Sequence, residues 1–193
     1  MQKNQPQLDP IEINGEEIET VSEIKLLGVT IQSDLKWNTH VNNIVKKAST
    51  RLHFIAHLKR AAICTEDLLI IYTSIVRPVL EYACPLWSTG LPTYLSELIE
   101  NIQKRLLKII YGEGEYKELL LRSKLNTLAK RRLKLNRDFF AKVKKENCAI
   151  HHLLPPKRFH THDLRQKHPY PIIEAKTNRF QNSFIPYSLI HYQ

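Results

Sequence analysis

Cysteine, glycine and long apolar runs are all scarce in this chain of 193 residues, and each scarcity closes off a class of protein. The three cysteines, Cys64, Cys84 and Cys148, are odd in number, far apart and without a C-x-x-C, which argues against a disulfide framework and against a cysteine-rich zinc site. The five glycines, Gly15, Gly28, Gly90, Gly112 and Gly114, form no Walker loop, dinucleotide fingerprint or nucleophile elbow, so no phosphate-cradling loop or hydrolase site is signalled and no cofactor is expected. No run of about 18 apolar residues occurs, and the polar start Met1 to Pro10 lacks the apolar stretch of a secretory signal. The expectation is an intracellular protein with no membrane partner.

What is present is a globular balance, 42% hydrophobic and 25% charged, with a net charge of +10 that is unevenly spread. Residues 1–36 carry a net −4, whereas Arg122 to Lys145 hold ten bases against the single acid Asp138, a net +9. A positive stripe of that density attracts polyanions by releasing their condensed counterions, so nucleic acid is the expected partner and its binding should depend strongly on salt. The plainer alternative is a solvated basic helix face.

Periodicity predicts a mostly helical α+β chain, with a small antiparallel three-stranded hairpin sheet, then a kinked helical bundle, then an irregular Pro/His-rich tail. In segment 1–36, Ile11 to Ile18 alternates around Asn14-Gly15, a pair suited to a two-residue turn, and pairs Ile11 with Ile18 on a buried face. A third strand is expected over Ile24 to Ile31, with Gly28 letting another backbone approach. Segment 37–147 reads as the bundle. Its first helix starts near Asn38 or Thr39 and buries Val41, Ile44, Val45, Ala48, Leu52 and Ile55, leaving Lys46, Lys47 and Arg51 off that stripe. A second helix, capped at Thr65, should kink near Ser74 to Arg77 because Pro78 lacks a backbone donor. Further helices are expected over Thr93 to Tyr111, stopped by Gly112, over Tyr116 to Leu121, and over about Thr127 to Asn147 with Leu128, Leu135, Phe139 and Val143 inward. Segment 148–193 loses periodicity and accumulates proline, so it should be extended, docking at most through Phe159, Phe180, Phe184 and Tyr187.

Histidine is the other signal in the tail. Cys148, His151, His152, His160, His162 and His168 crowd one stretch, but zinc needs ligands converging from a rigid frame, and the spacing offers none, so no metal site is expected. Trp37 and Trp87 are read as core residues rather than base-stacking platforms, and His40 as a hydrogen-bonding residue at a helix start.

The blocks Leu26-Leu27-Gly28-Val29, Trp37-Asn38-Thr39-His40-Val41 and Arg77-Pro78-Val79-Leu80-Glu81-Tyr82-Ala83-Cys84-Pro85-Leu86-Trp87, with Arg105 to Gly112 beyond them, resemble in order and spacing the primer-grip and thumb region of the reverse transcriptases of jockey-type non-LTR retrotransposons. That resemblance implies a grip at Leu26, Leu27, Gly28 and Val29 and a thumb holding RNA-DNA or DNA duplex without sequence preference. It implies no polymerase chemistry, because no Asp-Asp pair exists to hold catalytic metals. The best backbone-binding candidates are Lys46, Lys47, Arg51, Lys130, Arg131, Arg132 and Lys134. Two rival readings stay open. One is a helical interaction module whose leftover apolar face pairs with a palm domain or another chain. The other follows from a resemblance of Ile13 to Ala62 to the N-terminal region of an AlkB-like dioxygenase, here without the iron-binding His-x-Asp of the enzymatic core.

Overall fold

The computed structural model describes residues 11–158 and 169–192. Two separate two-stranded hairpins replace the expected three-stranded sheet. β1 (Glu12–Ile13) and β2 (Glu16–Glu17) pair around Asn14-Gly15, and β3 (Glu23–Leu26) and β4 (Val29–Gln32) pair around Leu27-Gly28. The register of the first hairpin is the one its alternation predicts, with Ile18 N–H donating to Ile11 O at 2.8 Å. Its burial is not: Ile11, Ile13 and Ile18 are all exposed, because no helix covers that face. Leu27 and Gly28 are a turn rather than strand interior, with φ of +47° and +85°, and glycine is there for its left-handed backbone.

α1 (Asn38–Arg60) buries Val41, Ile44, Ala48, Leu52 and Ile55 against α5 (Thr93–Tyr111), which follows its amphipathic pattern and stops at Gly112. Neither Asn38 nor Thr39 caps α1. The free Thr39 N–H instead donates to Gln32 Oε1 at 3.1 Å, so β4 supplies the cap. Between them runs α2 (Thr65–Ile71), a π-turn over Tyr72–Val76, then α3 (Arg77–Glu81) and α4 (Cys84–Trp87). The π-turn is the break that Pro78 forces. By length and mean hydropathy, 1.2, the stretch Thr65–Trp87 is long and apolar enough to cross a membrane, contrary to the expectation that no such run exists. In the fold it is broken at the π-turn and at the left-handed Ala83, and it sinks Leu68, Tyr72, Val76, Leu80 and Trp87 into the main core.

α6 (Tyr116–Ser123) and α7 (Leu128–Val143) close the bundle. α7 uses the expected inward line only at its two ends, Leu128 and Val143. It buries Leu128, Arg132, Asn136, Phe140 and Val143, leaving Leu135 and Phe139 half-buried. The tail is more ordered than its prolines suggest: α8 (Asn178–Gln181) and α9 (Phe184–His191) follow a 3-10 turn at His151–Leu153. Tyr170 and Leu189 join Phe140 and Val143 in a second core with Phe184 packed on it. Phe180 remains largely exposed, and Phe159 lies outside the described residues.

Candidate nucleic-acid interface

Two of the residue groups singled out in the sequence meet in one groove. The β3–β4 hairpin leans on α1 through Thr30, whose N–H donates to His40 Nδ1 at 3.3 Å and whose Oγ1 accepts from Asn43 Nδ2 at 3.4 Å. Tyr82, just past α3, ties the turn from the other side by donating its hydroxyl to Leu27 O at 3.0 Å. The cleft so enclosed, about 650 Å³, is lined by Leu27, Gly28 and Lys47, with Lys25, Asn43 and Val79 among the other walls, and no carboxylate is among its lining residues. Because Nδ1 accepts, His40 is a neutral imidazole with its proton on Nε2, and burial pushes its pKa below the ordinary histidine value.

Leu27 is the odd residue of this groove. It occupies the turn position that Asn14 fills in the first hairpin, with nearly the same φ, but an asparagine tolerates that conformation and a leucine is strained there by about 1 kcal/mol. Its side chain is 85% exposed beside two lysines. Leu26 is exposed as well and Val29 is buried, so the four residues of the grip-like block part into a projecting tip and an anchored strand.

The second basic surface is α7, and its orientation is fixed at its first turn. Three N–H groups that would lack helical partners each find an acceptor: Leu128 and Ala129 donate to the two carboxylate oxygens of Glu100 from α5, both at 3.1 Å, and Lys130 donates to Thr127 Oγ1 at 3.2 Å. Tyr116 adds its hydroxyl to Glu100, Gln103 Nε2 donates to Tyr116, and Tyr72 donates to Gln103 Oε1 at 2.8 Å. From that anchor Lys130, Lys134 and Arg137 recur on one exposed side, a row of about 10 Å at 1.5 Å per residue.

Three basic candidates are diverted. Arg131 holds Glu81 with two hydrogen bonds, Nη2 to Oε2 at 2.9 Å, and this pairing raises its pKa. Arg132 is 4% exposed; its Nη2 donates to Ser96 Oγ at 2.8 Å, and burial lowers its pKa. Arg51 donates to the Ile75 carbonyl in the π-turn. By contrast Lys46, Lys47, Lys130 and Lys134 are exposed and form no ion pair among the described residues. Two groove and stripe residues escaped the sequence reading. Lys25 was detectable by alternation, since it points opposite to Ile24 and Leu26, and Arg137 by its helical spacing from Lys130 and Lys134.

Trp87 is fully buried and donates Nε1–H to Tyr82 O at 2.9 Å, while Trp37 is half-buried, so neither is a free stacking platform. His160, His162 and His168 lie outside the described residues; among the described ones, no three of His, Cys, Asp and Glu gather where a metal ion could be held.

The class defined by these features is a helical module with basic surfaces. Residues 37–77, which are α1, α2, the π-turn and the first residue of α3, match the model of a family described as alkylated DNA repair protein alkB homolog 8, N-terminal. This corrects the resemblance to a retrotransposon reverse transcriptase, because the matching family is not a polymerase family. The match supports the alternative reading, an AlkB-like N-terminal domain lacking the enzymatic core, over about a fifth of the chain. No curated protein and no solved structure matches the chain. Iron-dependent dioxygenase chemistry needs a converging ligand set that the described residues do not provide, so no reaction step is assigned.

Proposed function

We propose that the chain is a non-catalytic helical module that binds the phosphate backbone of an RNA-DNA or DNA duplex without sequence preference. The observation that carries this reading is the row of exposed lysines on α7 without acid partners among the described residues, Lys130 and Lys134 foremost, joined by Lys46 and by Lys47 with Lys25 at the hairpin groove. Cations so arranged grip phosphates and fix position, but they read no bases. The exposed Leu27 adds an apolar tip that can pack on a sugar or base face beside those phosphates. The name of the matching family speaks of DNA repair, which is said of that family and agrees with a nucleic-acid partner.

Fluorescence anisotropy with a labelled duplex tests the proposal. Lys130→Ala with Lys134→Ala should lower affinity and make the dependence of log K on log salt shallower by about 0.9 for each B-DNA phosphate that the variant leaves unneutralised. Equal affinity for unrelated sequences is expected. A double variant that binds as tightly as the native chain and with the same salt slope would overturn it.

A further inference from the structure

The first hairpin has no reason to persist alone. Its strands are two residues each, shorter than an isolated hairpin needs, and its register sets Glu12 directly opposite Glu17, a like-charge pair that disfavours it. Its other face carries Ile11 and Ile13 on one strand, with Ile18 across from Ile11 and Glu16 across from Ile13. Every residue from 11 to 28 is exposed, and between 11 and 23 there are five glutamates and no cation, in a chain whose net charge is +10. The result is an acidic arm with three exposed isoleucines and Glu16 on one face.

A surface of complementary character lies elsewhere on the molecule. A cleft of about 780 Å³ between α4, α7 and the tail is lined by uncharged residues, Phe139, Leu153, Phe180 and Phe184 among them, and Leu153 and Phe180 stay about half exposed. Through Leu86 and Ser183 it continues into a second cleft of about 470 Å³ that carries Arg179 and Lys36, the latter already paired with Asp34 at 3.2 Å. An apolar floor ending in positive charge suits an apolar arm bearing carboxylates.

We propose that this cleft receives the arm of a second copy of the chain, residues 11–23, in a reciprocal exchange. Each copy owns one arm and one cleft, so a two-fold arrangement satisfies both at once and closes the assembly, where a one-way pairing would leave an arm and a cleft open. The arm's glutamates face Lys36 and Arg179, and the isoleucines fill the aromatic floor. This inference is independent of the backbone-binding proposal, and the salt dependence of duplex binding does not test it.

Complementation decides it. Sedimentation velocity on the full chain across about 1–200 µM should show a monomer–dimer equilibrium. The arm variant Ile11→Glu with Ile18→Glu and the cleft variant Leu153→Glu with Phe180→Glu substitute only exposed positions, so each should keep native circular dichroism and sediment as a monomer. Mixed, they should form a one-to-one heterodimer, because one intact arm then meets one intact cleft. A native chain that stays monomeric throughout, including one whose arm is protected from hydrogen exchange by its own cleft, would overturn the proposal. So would a variant that still dimerises by itself, or a mixture that stays monomeric.

Discussion

Removing the Glu100 carboxylate tests whether α7, and with it the basic row, is held by the anchor described above. The side chain accepts from two N–H groups of the first turn of α7 and from the Tyr116 hydroxyl. Loss of a helix cap costs about 1 kcal/mol, and a Tyr116 hydroxyl left without its charged acceptor adds about 1–2 kcal/mol. Glu100→Ala should therefore destabilise the fold by about 2–3 kcal/mol. For a chain of this size that is a fall of about 5–10 °C in Tm, readable by urea or thermal unfolding followed by circular dichroism. Glu100→Gln keeps one carbonyl acceptor but turns a donor toward the other N–H, so about half of the loss is expected. Thr127→Ala removes the cap on the adjacent donor, Lys130 N–H, at a cost of about 1 kcal/mol, and because both groups cap one turn the double variant should depart from the sum of the two. A Glu100→Ala protein within about 0.5 kcal/mol of the native one would refute the anchor.

The other predictions can be checked on the same preparations. Arg132 is buried without an ion pair among the described residues, so Arg132→Met should leave duplex affinity unchanged and leave stability unchanged or improved, in contrast to Lys134→Ala. Tyr82→Phe should cost about 1 kcal/mol and lower amide protection at Thr30, since the hydroxyl fastens the Leu27 turn. The depressed pKa of His40 means that the unfolded chain binds its proton first. Its contribution is complete above the ordinary histidine pKa and is lost as pH falls through the lower folded value, and His40→Gln should flatten the stability profile on the acid side of the ordinary histidine pKa. The buried Cys84 thiol, pushed up to about 11, should resist a thiol reagent at about pH 8 that modifies the exposed Cys64.

The helices were legible because their apolar spacing is local: α1 buries Val41, Ile44, Ala48, Leu52 and Ile55 as its pattern requires, α5 runs from Thr93 to Tyr111 as expected, and Pro78 announces its own break. Misreadings arose where a distant partner decides. Gly28 is the only local sign that Leu27 begins a turn, and the Tyr82 hydroxyl that fastens it lies 55 residues away. On α7 the equation of charge with surface failed, because Arg132 and Asn136 occupy the buried line and find partners on Ser96 and Ser88. The prolines of the tail masked α9, whose Pro186 sits in its first turn, where no helical donor is lost. The basic stretch itself was plain in the sequence, but which of its cations stay unpaired depends on Glu81, contributed from α3.

The central proposal, that this chain holds a nucleic-acid backbone chiefly by charge, is tested most directly by measuring the binding constant of the native protein for a duplex at several salt concentrations. Four phosphates neutralised give a slope of log K against log salt of about −3.6 on B-DNA, and unrelated sequences should fall on the same line. Binding undetectable at low salt, or a slope near zero, would contradict the account.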